Sequence, residues 1–450
     1  MATPFVPELS QAGHSVLMAI LIAVGLWIFG TTFIPLSIGS MVMLLILIIS
    51  GLKYSTVFNG YTSRAIWILI PALFFGFALN VTGLGKRLAY WVIGLFKPSY
   101  LTLTVSWVVI GILLSALTPS ITVRIAIVIP IAMATMEICR LQQGSDGASY
   151  VLLAAWSMVL IPGTGWLTGS LWGPIGLGLF DATPALKGII DFGSWFRVMF
   201  LPFALLTMVF IVALYLLMKP QKELHIDKDA FKKGFRGLGP VSFREKATLC
   251  VLMAAFLLLL TGRLHHIPDV AICLGAFALL AVFKVITVND IGPAINWDLI
   301  LFLGSIMGLG TIFHETGVDT FLSKSMNPII ENMPVNHWPL LFLAYVFLFL
   351  WRFIDVAQLN VTMPFLVPFL PMMEANFGIH PLIFFCIFLM CANCFCMSYQ
   401  QPFVIVGESL AGKAAWTTGQ LQKAGMIYFI ACLVTLALSI PYWRMMGLLK

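Results

Sequence analysis

Charge is what this chain has least of. Only 10% of its residues are Asp, Glu, Lys or Arg, against roughly 25% in a soluble domain, which excludes an ordinary water-soluble fold. The patterns that carry chemistry are missing too. There is no H-E-x-x-H pair, no phosphate-cradling glycine loop and no nucleophile beside a base, so nothing positive supports an enzyme. The first fifteen residues lack a basic n-region and a small-residue cleavage site, and a cleaved signal peptide is not expected. Short alternating strands, the mark of an outer-membrane barrel, are replaced by long apolar runs such as 15–36 and 195–218. Cys391, Cys394 and Cys396 have no second Cys/His cluster to complete a metal site. They read as small packing residues, and no metal or organic cofactor is expected.

What is present is apolar sequence, 60% of the chain, with a mean hydropathy of +1.01. At about 20 apolar residues per crossing, 450 residues leave room for roughly a dozen segments, some of them not fully spanning. The expected fold class is all-α, a polytopic membrane protein in contact with lipid, in a bacterial-type inner membrane. The net charge of +7 is concentrated: between Lys219 and Lys246 lie eight Lys/Arg against four Asp/Glu. Basic loops stay cytoplasmic, so this central loop is placed there. No aromatic interleaving accompanies it, and nucleic acid is not an expected partner.

Apolar segments at about 15–36, 38–52 and 66–84 open the chain. At 101–138 two apolar arms are separated by Thr118-Pro119-Ser120. Proline cannot continue a helix and biases its predecessor away from helical geometry. The arms read as too short for two crossings plus a loop, so a hairpin that enters and leaves on one side is expected. At 148–180, Pro162-Gly163-Thr164-Gly165 and Gly169-Ser170 interrupt the apolar pattern. They predict a discontinuous helix whose free N–H groups and dipole end can receive an anion. Segment 195–218 closes a first half, 1–218, and the basic loop 219–246 follows. The second half, 247–450, repeats the plan with segments 247–262, 268–284 and Trp297–Phe313. A second hairpin at 338–373 is interrupted at Asp355 to Asn360, a second broken helix at 380–410 is interrupted at Ser398-Tyr399-Gln400-Gln401-Pro402, and a last span covers 425–447.

The two hairpin breaks echo each other. Ser120-Ile121-Thr122 precedes Pro130 by ten, nine and eight places, and Gln358-Leu359-Asn360 precedes Pro368 by the same offsets. Corresponding polar breaks in two halves of a membrane protein point to a transporter's binding site. Ser120, Thr122, Gln358, Asn360 and Thr362 can donate hydrogen bonds to an anion, although hydroxyls in membrane helices also bond back to their own chain. Arg124 lies one turn beyond Ser120, where a guanidinium can pair with a carboxylate or sulfonate. The alternative is an ion pair with an acid from another helix. Arg352 and Asp355 stand at helical spacing for a pair. If protons drive transport, Asp355, Glu408 or His314 carries them.

On these tips and breaks the chain resembles the divalent anion/sodium symporter (DASS) family, within the ion transporter superfamily. That family carries citrate, other di- and tricarboxylates or sulfate, and the resemblance covers about 15–447. Its signature, a Ser-Asn-Thr triplet at the tip of each re-entrant hairpin, falls here on Ser120-Ile121-Thr122 and Gln358-Leu359-Asn360. The T-P-S-x-T-x-R form of the first tip is similar to the branch that exchanges dicarboxylates or citrate. Gly163-Thr164-Gly165-Trp166-Leu167-Thr168-Gly169-Ser170 resembles the family's first broken helix, and Trp297 to Gly304 resembles the segment before its second hairpin. The resemblance implies two inverted repeats, two hairpins and two broken helices, a homodimer and an elevator motion. It also places the substrate against Ser120, Thr122, Arg124, Gly163, Thr164, Gly165, Gln358, Asn360, Thr362, Ser398, Tyr399 and Gln400.

The chain departs from the pattern where the family holds sodium and carboxylates. Both triplet asparagines are aliphatic, Ile121 and Leu359, and the asparagine after each broken helix is matched by Gly173 and Phe403. An aliphatic side chain offers a cation no oxygen. The expected activity is therefore secondary transport of a small anion, of the dicarboxylate, sulfate or sulfonate class, by exchange or by coupling to protons or a counter-anion. Two further readings stay open at this point: a sodium symporter whose metal sites are built from backbone carbonyls, and a non-transporting partner or receptor subunit.

Overall fold

The computed structural model describes residues 9–29, 34–95, 99–220, 234–331, 336–355 and 362–449, with side chains at all of these except 28, 29, 263, 326, 327 and 329–331. Among the described residues the architecture is helical, with one isolated bridge between Ile379 and Leu449. Helices satisfy their own backbone, which is what lets them sit in lipid.

The first half runs α1 (Gln11–Phe29), α2 (Leu36–Ile49), α3 (Tyr54–Val57), α4 (Arg64–Thr82), α5 (Leu84–Gly94), α6 (Tyr100–Leu117), α7 (Ile121–Ile138), α8 (Asp146–Leu160), α9 (Trp172–Asp181) and α10 (Phe192–Met218). The second runs α11 (Phe243–Leu260), α12 (Gly262–His265), α13 (Asp269–Val282), α14 (Trp297–Met307), α15 (Leu309–Thr316), α16 (Val318–Glu331), α17 (His337–Trp351), α18 (Thr362–Leu366), α19 (Leu370–Phe377), α20 (Pro381–Ala392), α21 (Pro402–Ala411) and α22 (Thr418–Met445). Many begin at a side-chain cap supplied by the short polar linkers. Ser99 with Thr102, Asp191 with Ser194, Ser242 with Glu245 and Thr417 with Gln420 form reciprocal boxes, each satisfying donors that the first turn leaves free.

Seven described segments are long and apolar enough to cross a membrane, among them Arg64–Thr82, Phe192–Met218 and Thr418–Met445. Both arms of the first hairpin belong to this set. The turn between them consumes only Thr118, Pro119 and Ser120, leaving 18 residues in each arm. α2 starts directly after Pro35.

Two helices form the core. Every residue of α8 from Gly147 to Leu160, and every residue of α20, is buried. Both are apolar around their whole circumference, which in a folded chain places a helix inside. α6 and α7 pack on α8, α21 packs on α7, and α10 packs on α22. The remaining helices cross over between halves, since α2 packs on α14 while α13 and α11 pack on α4. After the basic loop, Arg87 ties the chain down. Its guanidinium meets Glu245 at 2.7 Å and also donates to the carbonyls of Leu238 and Gly239.

The α6–α8 contact depends on Gly111, where an added Cβ would stand 2.0 Å from the Met158 carbonyl oxygen. At Gly94 an added Cβ meets nothing within 4 Å. Gly111→Ala is expected to lower the melting temperature in detergent, at a cost of about 1–3 kcal/mol, while Gly94→Ala leaves it unchanged or slightly raised. Equal melting temperatures for the two variants would refute the close contact.

Candidate functional site

The helices that the breaks create point at one place. A cavity of about 390 Å³ is lined by Leu36, by Ser120 to Val123, by Leu171, Trp172 and Ile175, by Asn296, Leu299 and Phe302, and by Pro402, Phe403 and Val406, with Leu73, Ala294 and Ile295 completing the wall. Each of those clusters contains the first turn of a helix: α2, α7, α9, α14 and α21. First-turn N–H groups have no carbonyl within their own helix, and each helix start carries about half a positive charge. Five such starts surround one cavity, with no cationic side chain in its described wall. Three of the five are already partly answered within the protein: Asp298 accepts from the Ser37 amide at 2.9 Å, Ser120 from the Val123 amide and Asn296 from the Leu299 amide.

The first hairpin tip is a capped helix start that lines the cavity. Ser120 caps α7 by accepting from the Val123 amide, and its own amide donates to Thr118 Oγ1 at 3.1 Å. Thr122 is exposed and lines the cavity beside Ile121. Arg124 goes elsewhere. It is fully buried behind the tip, and none of its three guanidinium nitrogens has a hydrogen-bond partner among the described residues. A Cβ placed on Gly163 would lie 2.7 Å from Arg124 Nη1 and 2.2 Å from the Gly169 carbonyl, so the guanidinium sits against the loop of the first broken helix rather than in the cavity wall.

That loop is also buried. Thr164 is wholly inside, and its carbonyl accepts from Trp195 at 3.2 Å. Its hydroxyl accepts from Asn393, and the same asparagine accepts from Trp172 Nε1 at 3.1 Å. Asn393 therefore spans the two breaks, joining the loop of the first to the end of α20 in the second. Gly163, Thr164 and Gly165, expected to meet the solute, do not line this cavity. Gly173 is forced by packing: a Cβ there would fall 1.8 Å from the Leu167 carbonyl oxygen.

The second hairpin and second break are held by Arg352. Its guanidinium donates to the backbone carbonyls of Asp355 and Gln400. The expected Arg352–Asp355 contact thus runs to the carbonyl of Asp355, while the Asp355 carboxylate accepts from Thr362, whose hydroxyl also accepts from Trp351 Nε1 at 2.9 Å. Gln358, Leu359 and Asn360 lie outside the described residues. Gln400 is buried, with its Oε1 accepting from the Met397 amide. Ser398 donates to Glu408 at 2.9 Å, and Trp416 donates to the same oxygen at 3.0 Å. Tyr399 is exposed and reaches the Phe353 carbonyl at 3.4 Å. His314 is at the surface, paired with Asp319 at 2.9 Å, and is not brought to the breaks.

Asn393 is the residue the sequence reading missed. It stands five places before the polar run that drew attention, directly after twelve apolar residues, and that position at the end of an apolar segment was the available signal.

The family model described as the sodium:sulfate symporter transmembrane region matches residues 4–449. Among curated proteins, the chain is 25% identical to the inner membrane protein YbhI of Escherichia coli over 60% of its own length and 58% of that protein. It is 23% identical to dicarboxylate transporter 1, chloroplastic, of Spinacia oleracea, over 67% of this chain and 53% of the relative. It is 25% identical to the L-tartrate/succinate antiporter of Escherichia coli, over 59% and 55%. The chain spans little more than half the length of these relatives. With its apolar helices, these matches make it a multi-pass integral membrane protein.

Asn393→Leu removes both bonds and leaves the buried Trp172 N–H and Thr164 hydroxyl without that partner. A loss of about 1–3 kcal/mol is expected, at the lower end if the unfolded chain finds other partners in the membrane. Thermal unfolding in detergent measures it, and a variant as stable as wild type would show that the bridge between the breaks does not hold the fold together.

Proposed function

Because the chain belongs to the sodium:sulfate symporter family, a family of anion transporters, we propose that it is a secondary transporter of a small anion, and that the anion binds in the cavity where the five helix starts meet. The observation that carries this reading is their convergence. Main-chain N–H groups and helix dipoles neutralise an anion there without a cationic side chain in contact. In this reading Ser120 and Thr122 are direct donors. Arg124 supports the site from behind, adding positive potential in a low-dielectric interior and filling the space beside the Gly163 loop. Gln358, Asn360 and Thr362 are proposed to close over the solute from the second hairpin, and Ser398, Tyr399 and Gln400 to shape the second break.

The matching order of elements supports two repeats, 1–218 and 247–450, joined by the basic loop 219–246. In each half several helices come first, followed by two hairpin arms, a broken helix and a long closing helix. The repeats are proposed to be inverted, with the hairpins and broken helices moving as a unit past the outer helices, in a homodimer in the inner membrane. The reading makes the protein a carrier rather than an enzyme. Coupling by exchange or by protons fits the cavity wall better than a sodium pair, because Ile121, Gly173 and Phe403 supply no side-chain oxygen. Glu408, held by two neutral donors at the second break, and Asp355 are the proposed proton carriers. His314, paired at the surface, is the least suited of the three.

Counterflow of labelled anion into proteoliposomes tests the reading. Exchange should persist with sodium replaced by choline and should fall at least ten-fold in Arg124→Ala, with partial recovery in Arg124→Lys. Strict sodium dependence would overturn the coupling. A pH-driven component should disappear in Glu408→Gln, and its survival there would remove Glu408 from the proton path.

A further inference from the structure

We propose that Arg64 is the latch of an outer gate: its guanidinium holds Asp181 in this conformation and passes to Asp269 when the site turns outward. The proposal rests on the carrier reading above, in which the hairpins and broken helices move past the outer helices.

The ion pair joins parts that this motion separates. Arg64 opens α4, an outer helix, and Asp181 closes α9, the second limb of the first broken helix. Arg64 Nε meets Asp181 Oδ2 at 2.6 Å and Nη2 meets Oδ1 at 3.3 Å, the two-pronged geometry in which a guanidinium holds a carboxylate. Nη2 also donates to the Ile190 carbonyl at 2.9 Å, so the grip covers both ends of the segment between α9 and α10. Beside it, Thr311 of α15 donates to the Ala182 carbonyl at 3.3 Å and accepts from Asn59 at 2.7 Å. Arg64 also faces a second acid. Its Nη1 lies 4.0 Å from Asp269 Oδ2, at the start of α13, which packs on α4. Asp269 therefore stays beside Arg64 when α9 leaves. A cavity of about 390 Å³ adjoins the pair, lined by Asn59, Ser63, Gly178, Lys187 and Met307, and gives the side chain room to turn.

The position of the pair says which gate it closes. α10 runs 27 residues from beside Ile190 to the basic loop, about 40 Å, so with that loop cytoplasmic Arg64 stands at the outer face. α14 begins at the candidate solute cavity and ends at Met307, in the wall beside Arg64. The solute cavity thus lies inward of the pair, and the outer side is the latched one. The side chains of Arg64 and Asp181 are 36% and 18% exposed. A pair so placed biases an equilibrium by up to about five-fold, enough to favour one state and little enough to be broken in every cycle.

The test places a cysteine at Met307, which is buried against Gly178 of α9. The background is Cys250→Ser, because Cys250 is exposed and the other seven cysteines are buried. Labelling by a membrane-impermeant maleimide is measured from outside, on right-side-out vesicles carrying the full chain, with anion counterflow in parallel. Asp181→Asn opens the latch and should speed labelling about five-fold, while Asp269→Asn removes the partner of the outward state and should slow it by about as much. Opposite signs for two acids on one arginine are what a purely structural ion pair does not give. Arg64→Lys keeps the charge without the fork and should label faster than wild type, which reads the latch even where an asparagine variant does not reach the membrane. Shifts of the same sign in the two acid variants, or no shift in either, would overturn the latch. Counterflow with unchanged labelling would remove the latch and keep the carrier. The expected labelling shifts without counterflow of any anion would keep the gate and remove the carrier reading.

Discussion

A break in a membrane-buried helix frees backbone groups that lipid cannot satisfy, and most of this structure follows from how those groups are answered. The first break folds inward and is closed by protein. Thr164 meets Asn393 and Trp195, and Trp166 reaches the Ser115 carbonyl at 3.1 Å. The helices that restart after the breaks, with the starts of α2, α7 and α14, turn their remaining donors toward a shared cavity. The same constraint thus generates both the rigid centre and the cavity beside it. α8 and α20 can be apolar on all sides because the polar work is concentrated at their ends.

Two arginines divide the work of holding the hairpins. Arg352 donates to carbonyls of both the second hairpin and the second break, so its charge serves as a cross-link. Arg124 rests against the Gly163 loop with no hydrogen-bond partner among the described residues. A buried guanidinium is retained when its charge is needed nearby, and the cavity one turn away is where a negative charge would benefit. Neither arginine is a direct wall group.

The residues that replace family asparagines illustrate how backbone geometry and chemistry separate. At Gly173 no side chain is possible, because the Leu167 carbonyl occupies the place of a Cβ. At Ile121 and Phe403 there is room, and the side chains present are hydrophobic and face the cavity. Packing thus explains Gly173, while Ile121 and Phe403 make the cavity wall more apolar.

Much was legible from sequence because lipid imposes simple rules. The scarcity of charge and the long apolar runs determined a helical, membrane-embedded chain, and proline and glycine in apolar runs marked the first tip, the two broken helices and the closing spans within a few residues. The polar residues at those breaks stood out against the apolar sequence around them. Their roles were not readable, because a sequence records neither direction nor depth. Arg124 is one turn from Ser120 yet points behind the tip, Thr164 is sealed inside, and His314 lies at the surface. Asn393 went unnoticed because its importance comes from Thr164 and Trp172, each more than 200 positions away. Sequence by itself determined where the helices had to break. Only the tertiary structure decided which freed groups are satisfied by protein and which face the cavity, since that depends on contacts between segments brought together from both halves of the chain.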